Sequence, residues 1–252
     1  MGLFTNLKTD GVKVEKPVEA VSTGKSFGVV ETGVYDCIIT NAYVTVSKPN
    51  ERTGSKGGAM AFNFELETTD KEVINQTIYV SSGLAKGQKS TYEKDGKTYF
   101  LPGYIMVNDI VNLLTGADLT ELDTDDGLVE VYSFEAKARV KETFPIVTEI
   151  INKRIKLAIQ KVVEDKYGST TGETRELNEI IKAFDAEDEV TFAEAQAGKS
   201  GFMAKWLERN KGQIKDKTKA QSGAVAPAAS PVTKTATASD EVKPASKLFN
   251  RG

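Results

Sequence analysis

One dipeptide, Asp95-Gly96, constrains the fold of this chain more than any other feature of its sequence. Both central residues of a two-residue type I′ turn need a positive φ, and Asp-Gly meets that need well, so a β-hairpin is predicted. Counting outward from the turn pairs Lys94 with Lys97. Two pairs further from the turn, Tyr92 lies opposite Tyr99, so two rings and two lysines lie close together on one ribbon.

Two further lysines, Lys86 and Lys89, lie just before the hairpin. Aromatic rings stack on bases and ammonium groups neutralise phosphates, so a ribbon carrying both predicts binding of a single-stranded nucleic acid. Two other roles fit the same residues. The tyrosines can simply stiffen an exposed hairpin, or the hairpin can contact a second copy of the chain in a homodimer.

The composition argues against a catalytic site. The chain of 252 residues has no histidine and one cysteine, Cys37, so it lacks the commonest general base and any cysteine-rich zinc site. A GxxxxGK[ST] phosphate-binding loop is also absent from the sequence. Three acidic residues cluster in a polar connector, but their spacing favours a solvated surface over a metal site: Asp123, Asp125 and Asp126. We therefore expect a binding protein, not an enzyme, with no cofactor and no metal.

The charge is unevenly distributed along the chain. The net charge is −3, and residues 217–252 carry six Lys or Arg against two Asp or Glu, so the first 216 residues carry −7. A polyanion site in this acidic body must be a local basic patch with strongly salt-dependent affinity. The single cysteine and the lack of a long apolar run predict a cytoplasmic protein without a membrane segment.

Hydrophobic patterning predicts a mainly β chain. Alternating apolar residues predict four strands over Gly33–Ser47, Ala59–Thr68, Glu72–Ser81 and Lys153–Asp165. A fifth, Glu176–Phe184, fits a strand or a helix, and its length favours a strand. Helical spacing predicts helices over Met106–Leu114, Thr191–Gly198 and Gly201–Ile214, and Leu128–Val140 fits a strand or a mixed segment.

This order of elements is that of a five-stranded OB barrel, which has its helix between the third and fourth strands. The hairpin and residues 118–152 are then insertions. OB barrels bind single strands on the face of strands two and three and with neighbouring loops. The candidate residues for binding a single strand are accordingly Lys48, Arg52 and Lys56 in a glycine-rich loop, Tyr79 on strand three, Arg154 and Lys156 on strand four, and Lys86, Lys89, Tyr92, Lys94, Lys97 and Tyr99 in and before the hairpin.

Three regions follow from composition. Residues 1–27 are polar with scattered apolar residues and predict a flexible arm, residues 28–214 form the OB domain, and residues 215–252 predict a disordered linker. Near the end of the linker stand two large apolar residues, Leu248 and Phe249. They fit either a short segment that docks on a partner or a terminal stretch without a role of its own.

Several runs of the sequence resemble the single-stranded DNA-binding proteins of tailed bacteriophages. They are GVYDCIITNAYVT, YVSSGLAKGQKSTYEKDGKTYFLPGY, VNDIVNLLTG, GETRELNEI and the final KLFNRG, and together they span most of residues 28–214 and the chain's end. The resemblance implies an OB-type domain that coats single-stranded DNA without sequence preference in the host cytoplasm, during replication, recombination or repair. It also implies a tail that contacts other phage replication or recombination proteins.

The tail departs from the strongly acidic ending of many such proteins, since Asp240 and Glu241 are the only acids in residues 217–252. Docking through Leu248 and Phe249 is therefore the expected contact. Two other functions fit the same residues: a recombination protein that anneals complementary strands, and a phage assembly or scaffold protein whose hairpin joins subunits.

Overall fold

The computed structural model describes residues 28–51, 54–133, 136–166 and 172–218. These residues form a mainly β structure with a few short helices, as predicted. The strands are β1 Gly33–Val46, β2 Met60–Thr68, β3 Val73–Tyr79, β4 Thr91–Lys94, β5 Lys97–Phe100, β6 Asp125–Ser133, β7 Ala138–Ile146, β8 Arg154–Asp165, β9 Thr174–Phe184 and β10 Ile214–Asp216. The α-helices are α1 Pro102–Thr115, α2 Phe192–Ala197 and α3 Phe202–Asn210.

The main sheet is built around β1 and β8. Strands β9, β8, β1, β2 and β3 follow one another as antiparallel neighbours, and β10 joins β8 in parallel. The β6–β7 hairpin meets the sheet where Ile146 pairs with Tyr43 of β1. Strands β4 and β5 form a separate two-stranded sheet.

The predicted five-stranded barrel is not confirmed, because the sheet is not closed. Strands β3 and β9 come into contact, but no hydrogen-bonded ladder joins them in the described part of the chain. Helix α1 packs against both strands. Its buried side chains, Val107, Ile110 and Val111, therefore hold this region together through apolar packing where a closed barrel would use backbone hydrogen bonds.

The core lies between the inner face of the sheet and α1. On β2 the alternation predicts the buried side correctly for Phe62, Phe64 and Leu66. Burial of each such side chain stabilises the fold by about 1.5–3 kcal/mol. Met60 was expected on the same buried face, but it is 39% exposed because β2 begins there, at the margin of the core.

Helix α1 begins four residues before the predicted Met106, at Pro102. Proline suits the first turn of a helix, since its fixed φ fits and its missing N–H has no intrahelical acceptor there. The helix ends at Gly116, whose φ of 75° allows its N–H to bond the carbonyl oxygen of Asn112.

The C-terminal elements differ from the predicted ones in length. Helix α3 ends at Asn210, and Gly212, with a φ of 73°, turns the chain so that Ile214–Asp216 form β10 beside β8. The sequence predicted a helix up to Ile214 and no strand there. Trp206 of α3 packs against Phe184 in a second small cluster, which confirms its predicted structural role.

Candidate nucleic-acid interface

The β4–β5 hairpin has the predicted register. Tyr92 pairs with Tyr99 and Lys94 with Lys97. Asp95 and Gly96 have φ values of 52° and 70°, the positive pair that a type I′ turn requires. The tyrosine rings stack with centroids 5.7 Å apart and an interplanar angle of 28°.

The register also separates two chemically different faces of this hairpin. Side chains two residues apart on a strand share a face, as do residues paired directly across it, so the two tyrosines lie on the same face as Lys94 and Lys97. Glu93 lies on the opposite face. One side of the ribbon therefore combines two rings, 41% and 42% exposed, with two exposed ammonium groups and no carboxylate from within either strand.

The hairpin is anchored at its base. Phe100 stacks on Tyr104 of α1 with ring centroids 5.0 Å apart, and Leu101 N–H donates to the carbonyl oxygen of Ser90 at 2.8 Å. Ser82 and Lys89 also exchange hydrogen bonds, which fix the segment that enters β4. The base of the ribbon is thus fixed on both strands, while its turn stays exposed.

The glycine-rich loop after β1 is tied to the segment before this hairpin. The carbonyl oxygen of Gly57 accepts a hydrogen bond from Leu84 N–H at 2.9 Å, and that of Gly58 accepts one from Gln88 Nε2 at 2.6 Å. Two basic segments that are distant in the sequence therefore lie side by side. Their exposed lysines are Lys48 and Lys56 in the loop and Lys86 and Lys89 before the hairpin.

Tyr79 lies beside this basic surface. It is the last residue of β3, is 55% exposed, and pairs with Ala61. A Cβ built on Gly103 would lie 2.1 Å from the carbonyl oxygen of Tyr79, so the first turn of α1 touches the end of β3. Because Gly103 follows β5 by only three residues, the end of β3 lies near the base of the hairpin.

The predicted residues on β8 are placed elsewhere. Arg154 pairs with Ile38 of β1, so β1 and β2 separate it from β3, a width of about 14 Å. Both cations bind carboxylates: Arg154 Nη2 lies 2.5 Å from Asp36 Oδ2, and Lys156 Nζ lies 2.6 Å from Glu189 Oε1. Asp36 raises the pKa of the Arg154 guanidinium through its hydrogen bonds. The structure does not bring these two cations to the hairpin.

Three other predicted residues lie outside the described part of the chain: Arg52, Leu248 and Phe249.

A groove on the outer face of the sheet was not predicted. Its floor is the outer side of β1, β2 and β3, and its wall is the β6–β7 hairpin, with a volume of about 420 Å³. On the floor, Asn63 Nδ2 donates to Thr45 Oγ1 at 2.9 Å and Thr77 Oγ1 donates to Asn63 Oδ1 at 2.8 Å. On the wall, Tyr132 pairs across the strands with Arg139.

Charge and burial in the groove are mixed. Arg139 Nη1 lies 3.5 Å from Glu130 Oε2, and Glu65 lines the floor. Tyr43 packs against Phe144 with ring centroids 5.3 Å apart, and burial, followed by the charge of Glu65, raises the pKa of its hydroxyl. The groove thus offers rings and polar groups, with less positive charge than the β4–β5 hairpin.

The groove was missed because Leu128–Val140 fitted more than one type of structure. In the structure this segment contains the end of β6, a turn residue, Lys137, with a φ of 49°, and the start of β7. Nothing in the local sequence showed that this hairpin would lie over the sheet.

No protein family, curated protein or solved structure matches this chain. In the described ranges, no helix is long and apolar enough to cross a membrane. Function is therefore inferred from the chemistry of the surface described above.

Proposed function

We propose that this protein binds single-stranded DNA without sequence preference and protects it during phage DNA replication, recombination or repair. The observation that carries the proposal is the two-faced β4–β5 hairpin. Its exposed face joins the Tyr92–Tyr99 stack to Lys94 and Lys97, while Glu93 lies on the other side. Rings stack on any base and ammonium groups bind any phosphate, so this face suits a single strand of any sequence.

The tie between the loop and the hairpin extends this surface. Through the hydrogen bonds of Gly57 and Gly58, six lysines belong to two adjoining segments: Lys48, Lys56, Lys86, Lys89, Lys94 and Lys97. A strand held on the hairpin would continue past Tyr79 onto the outer face of the sheet, an OB-like binding path. Tyr43 and Tyr132 in the groove then offer further rings.

Because the body is acidic, binding at this basic patch depends on the local arrangement of its lysines. Because the first 216 residues carry −7, binding depends on a few nearby cations and not on a general positive field. Duplex DNA keeps its bases stacked inside the helix, so the tyrosines have no base faces to contact there. We therefore expect a preference for single strands.

Fluorescence anisotropy with labelled oligo(dT) of about 30 nucleotides and a matched duplex tests the proposal. If six lysines contact phosphates, the slope of log K against log salt is about −4, and affinity falls by about two orders of magnitude between about 50 and 200 mM salt. The duplex should bind much more weakly. Absence of salt-dependent binding to oligo(dT) would refute the proposal.

The same preparation tests the other functions. Faster renaturation of complementary strands would indicate an annealing protein, and self-association that Tyr92→Ala abolishes, with no DNA binding, would indicate an assembly role for the hairpin. Under the proposed function, substitutions in the hairpin change DNA affinity and leave the mass in solution unchanged.

A further inference from the structure

An apolar groove opens beside the base of the β4–β5 hairpin, on the side of α1. Its volume is about 340 Å³, and it is lined by Met60, Val80, Tyr104, Leu119 and Leu122 among others. Val80 is buried at its floor, whereas Met60 is 39% exposed. This volume is at the lower end of ligand pockets and fits two large apolar side chains.

One rim of this apolar groove is acidic. Leu119 and Leu122 belong to residues 118–126, in which five exposed carboxylates alternate with the lining residues: Asp118, Glu121, Asp123, Asp125 and Asp126. The carboxylate of Asp118 is close enough to the Tyr104 hydroxyl to raise its pKa, after the larger effect of burial. Lys89 flanks the groove on the hairpin side, next to the lining residues Gln88 and Ser90.

A segment of this same chain is complementary to that groove. In residues 247–251, the apolar pair Leu248-Phe249 is flanked by Lys247 and Arg251. The chain has a second Leu-Phe pair, Leu3-Phe4, but its nearest basic side chain is Lys8, four residues away. Charge therefore favours residues 247–251 as the occupant of a groove with an acidic rim.

The chain is long enough for this contact. Thirty residue steps separate Thr218, the last described residue, from Leu248, and an extended path of that length spans about 100 Å. A body the size of residues 28–218 has a radius of gyration of about 16 Å. Every point on its surface is thus within reach.

We propose that residues 247–251 dock in the apolar groove of their own chain, with Leu248 and Phe249 inside it and Lys247 and Arg251 facing the acidic rim. A tethered segment of this length has an effective concentration of about 1 mM at the groove, so a modest intrinsic affinity fills it. In the docked state the groove covers Leu248 and Phe249, so this pair is unavailable to other proteins. This proposal does not depend on DNA binding.

The test uses the full 252-residue chain carrying Leu248→Ala and Phe249→Ala, which leaves its groove open. A fluorescein-labelled peptide of residues 243–252 should bind this variant at a ratio of one to one. The unaltered chain should bind the peptide with an affinity at least about tenfold lower, because its own segment competes for the groove. A benzophenone in place of the phenylalanine ring should crosslink to residues that line the groove.

Charge supplies the matched controls. In the open variant, Asp123→Lys with Asp126→Lys should weaken peptide binding about fivefold or more, whereas Asp188→Lys with Glu208→Lys, at exposed positions on other elements, should not. A peptide of residues 1–10, which has the same Leu-Phe pair, should bind much more weakly than the peptide of residues 243–252.

Each of the following results would overturn the proposal. The 243–252 peptide does not bind the open variant at about 1 mM, or it binds the open variant and the unaltered chain equally. The 1–10 peptide binds the open variant as tightly as the 243–252 peptide does, or the crosslinks lie elsewhere on the body. A dimer that forms only in the unaltered chain would also overturn it, since the segment would then occupy the groove of a second copy.

Discussion

The backbone N–H of Leu84 donates a hydrogen bond to the carbonyl oxygen of Gly57 at 2.9 Å. This bond joins the glycine-rich loop after β1 to the segment that leads into the β4–β5 hairpin. Through it, two runs of lysines that are separate in the sequence become one basic surface. The two segments approach so closely because glycine occupies the contact: a Cβ on Gly58 would lie 2.3 Å from Leu84 Cγ.

Gly58→Ala should therefore lower the free energy of unfolding by about 1–3 kcal/mol more than Gly54→Ala does. Both glycines have a positive φ, 82° and 66°, so both variants carry backbone strain, but nothing lies within 4 Å of a Cβ at Gly54. Urea unfolding of the two variants measures the difference. Equal losses would show that the close contact with Leu84 is not important for stability.

Tyr92→Ala and Tyr99→Ala should each weaken binding of oligo(dT) by about 1–3 kcal/mol, because each removes a ring available for stacking. Tyr92→Phe keeps the ring and should bind within about twofold of the unaltered chain. Anisotropy titrations and thermal unfolding are measured on the same preparations. A loss of stability with unchanged affinity would mean that the ring pair only stiffens the hairpin.

Lys94→Ala or Lys97→Ala should each reduce the magnitude of the salt slope by about 0.7, the effect of one lost phosphate contact on a single strand. The matched control is Glu93→Gln, which also changes the charge of β4 by one but on the opposite face. It should leave the slope unchanged. If Glu93→Gln altered the slope as much as the lysine variants do, the two faces would not differ in their contact with DNA.

Asp109→Asn should stabilise the protein near neutral pH. Burial raises the pKa of Asp109, an effect that Lys182 only partly opposes, so the folded state holds the carboxyl proton more tightly than the unfolded state. Stability is then lost as the pH rises from the ordinary value for aspartate through the raised folded value. The variant lacks this loss, so its advantage should be present at about pH 7 and vanish near pH 3.

Urea unfolding at several pH values measures this difference. Asp123→Asn, which changes an exposed carboxylate, serves as the control and should show no such pH-dependent gain. An Asp109→Asn variant that is less stable at neutral pH would show that the attraction to Lys182 outweighs the cost of burial.

Cys37 should not react with thiol reagents in the folded protein at about pH 8. It is fully buried on β1, and burial, with a smaller effect of Asp36, raises the pKa of its thiol to about 12. Labelling should proceed only after unfolding, in step with the loss of tertiary structure. Rapid labelling without denaturant would show that β1 opens locally.

Local features of the sequence were sufficient for several individual elements. The φ requirement of Asp95-Gly96 fixed the register of the β4–β5 hairpin, and the alternation of Phe62, Phe64 and Leu66 fixed the buried face of β2. Both depend only on residues within a few positions of each other, through backbone sterics and the two-residue period of a strand. That is why they could be predicted.

The tertiary structure alone decided which elements meet. It paired Arg154 and Lys156 with carboxylates far away in the chain, at Asp36 and Glu189, and placed both cations on β8, which β1 and β2 separate from β3. It also left the sheet open between β3 and β9, laid the β6–β7 hairpin over the outer face, and joined Gly57 to Leu84. Such contacts arise from packing between distant segments, which leaves no periodic pattern in the sequence. The composition of the basic surface was thus determined locally, while its assembly from two segments was decided by long-range packing and backbone hydrogen bonds.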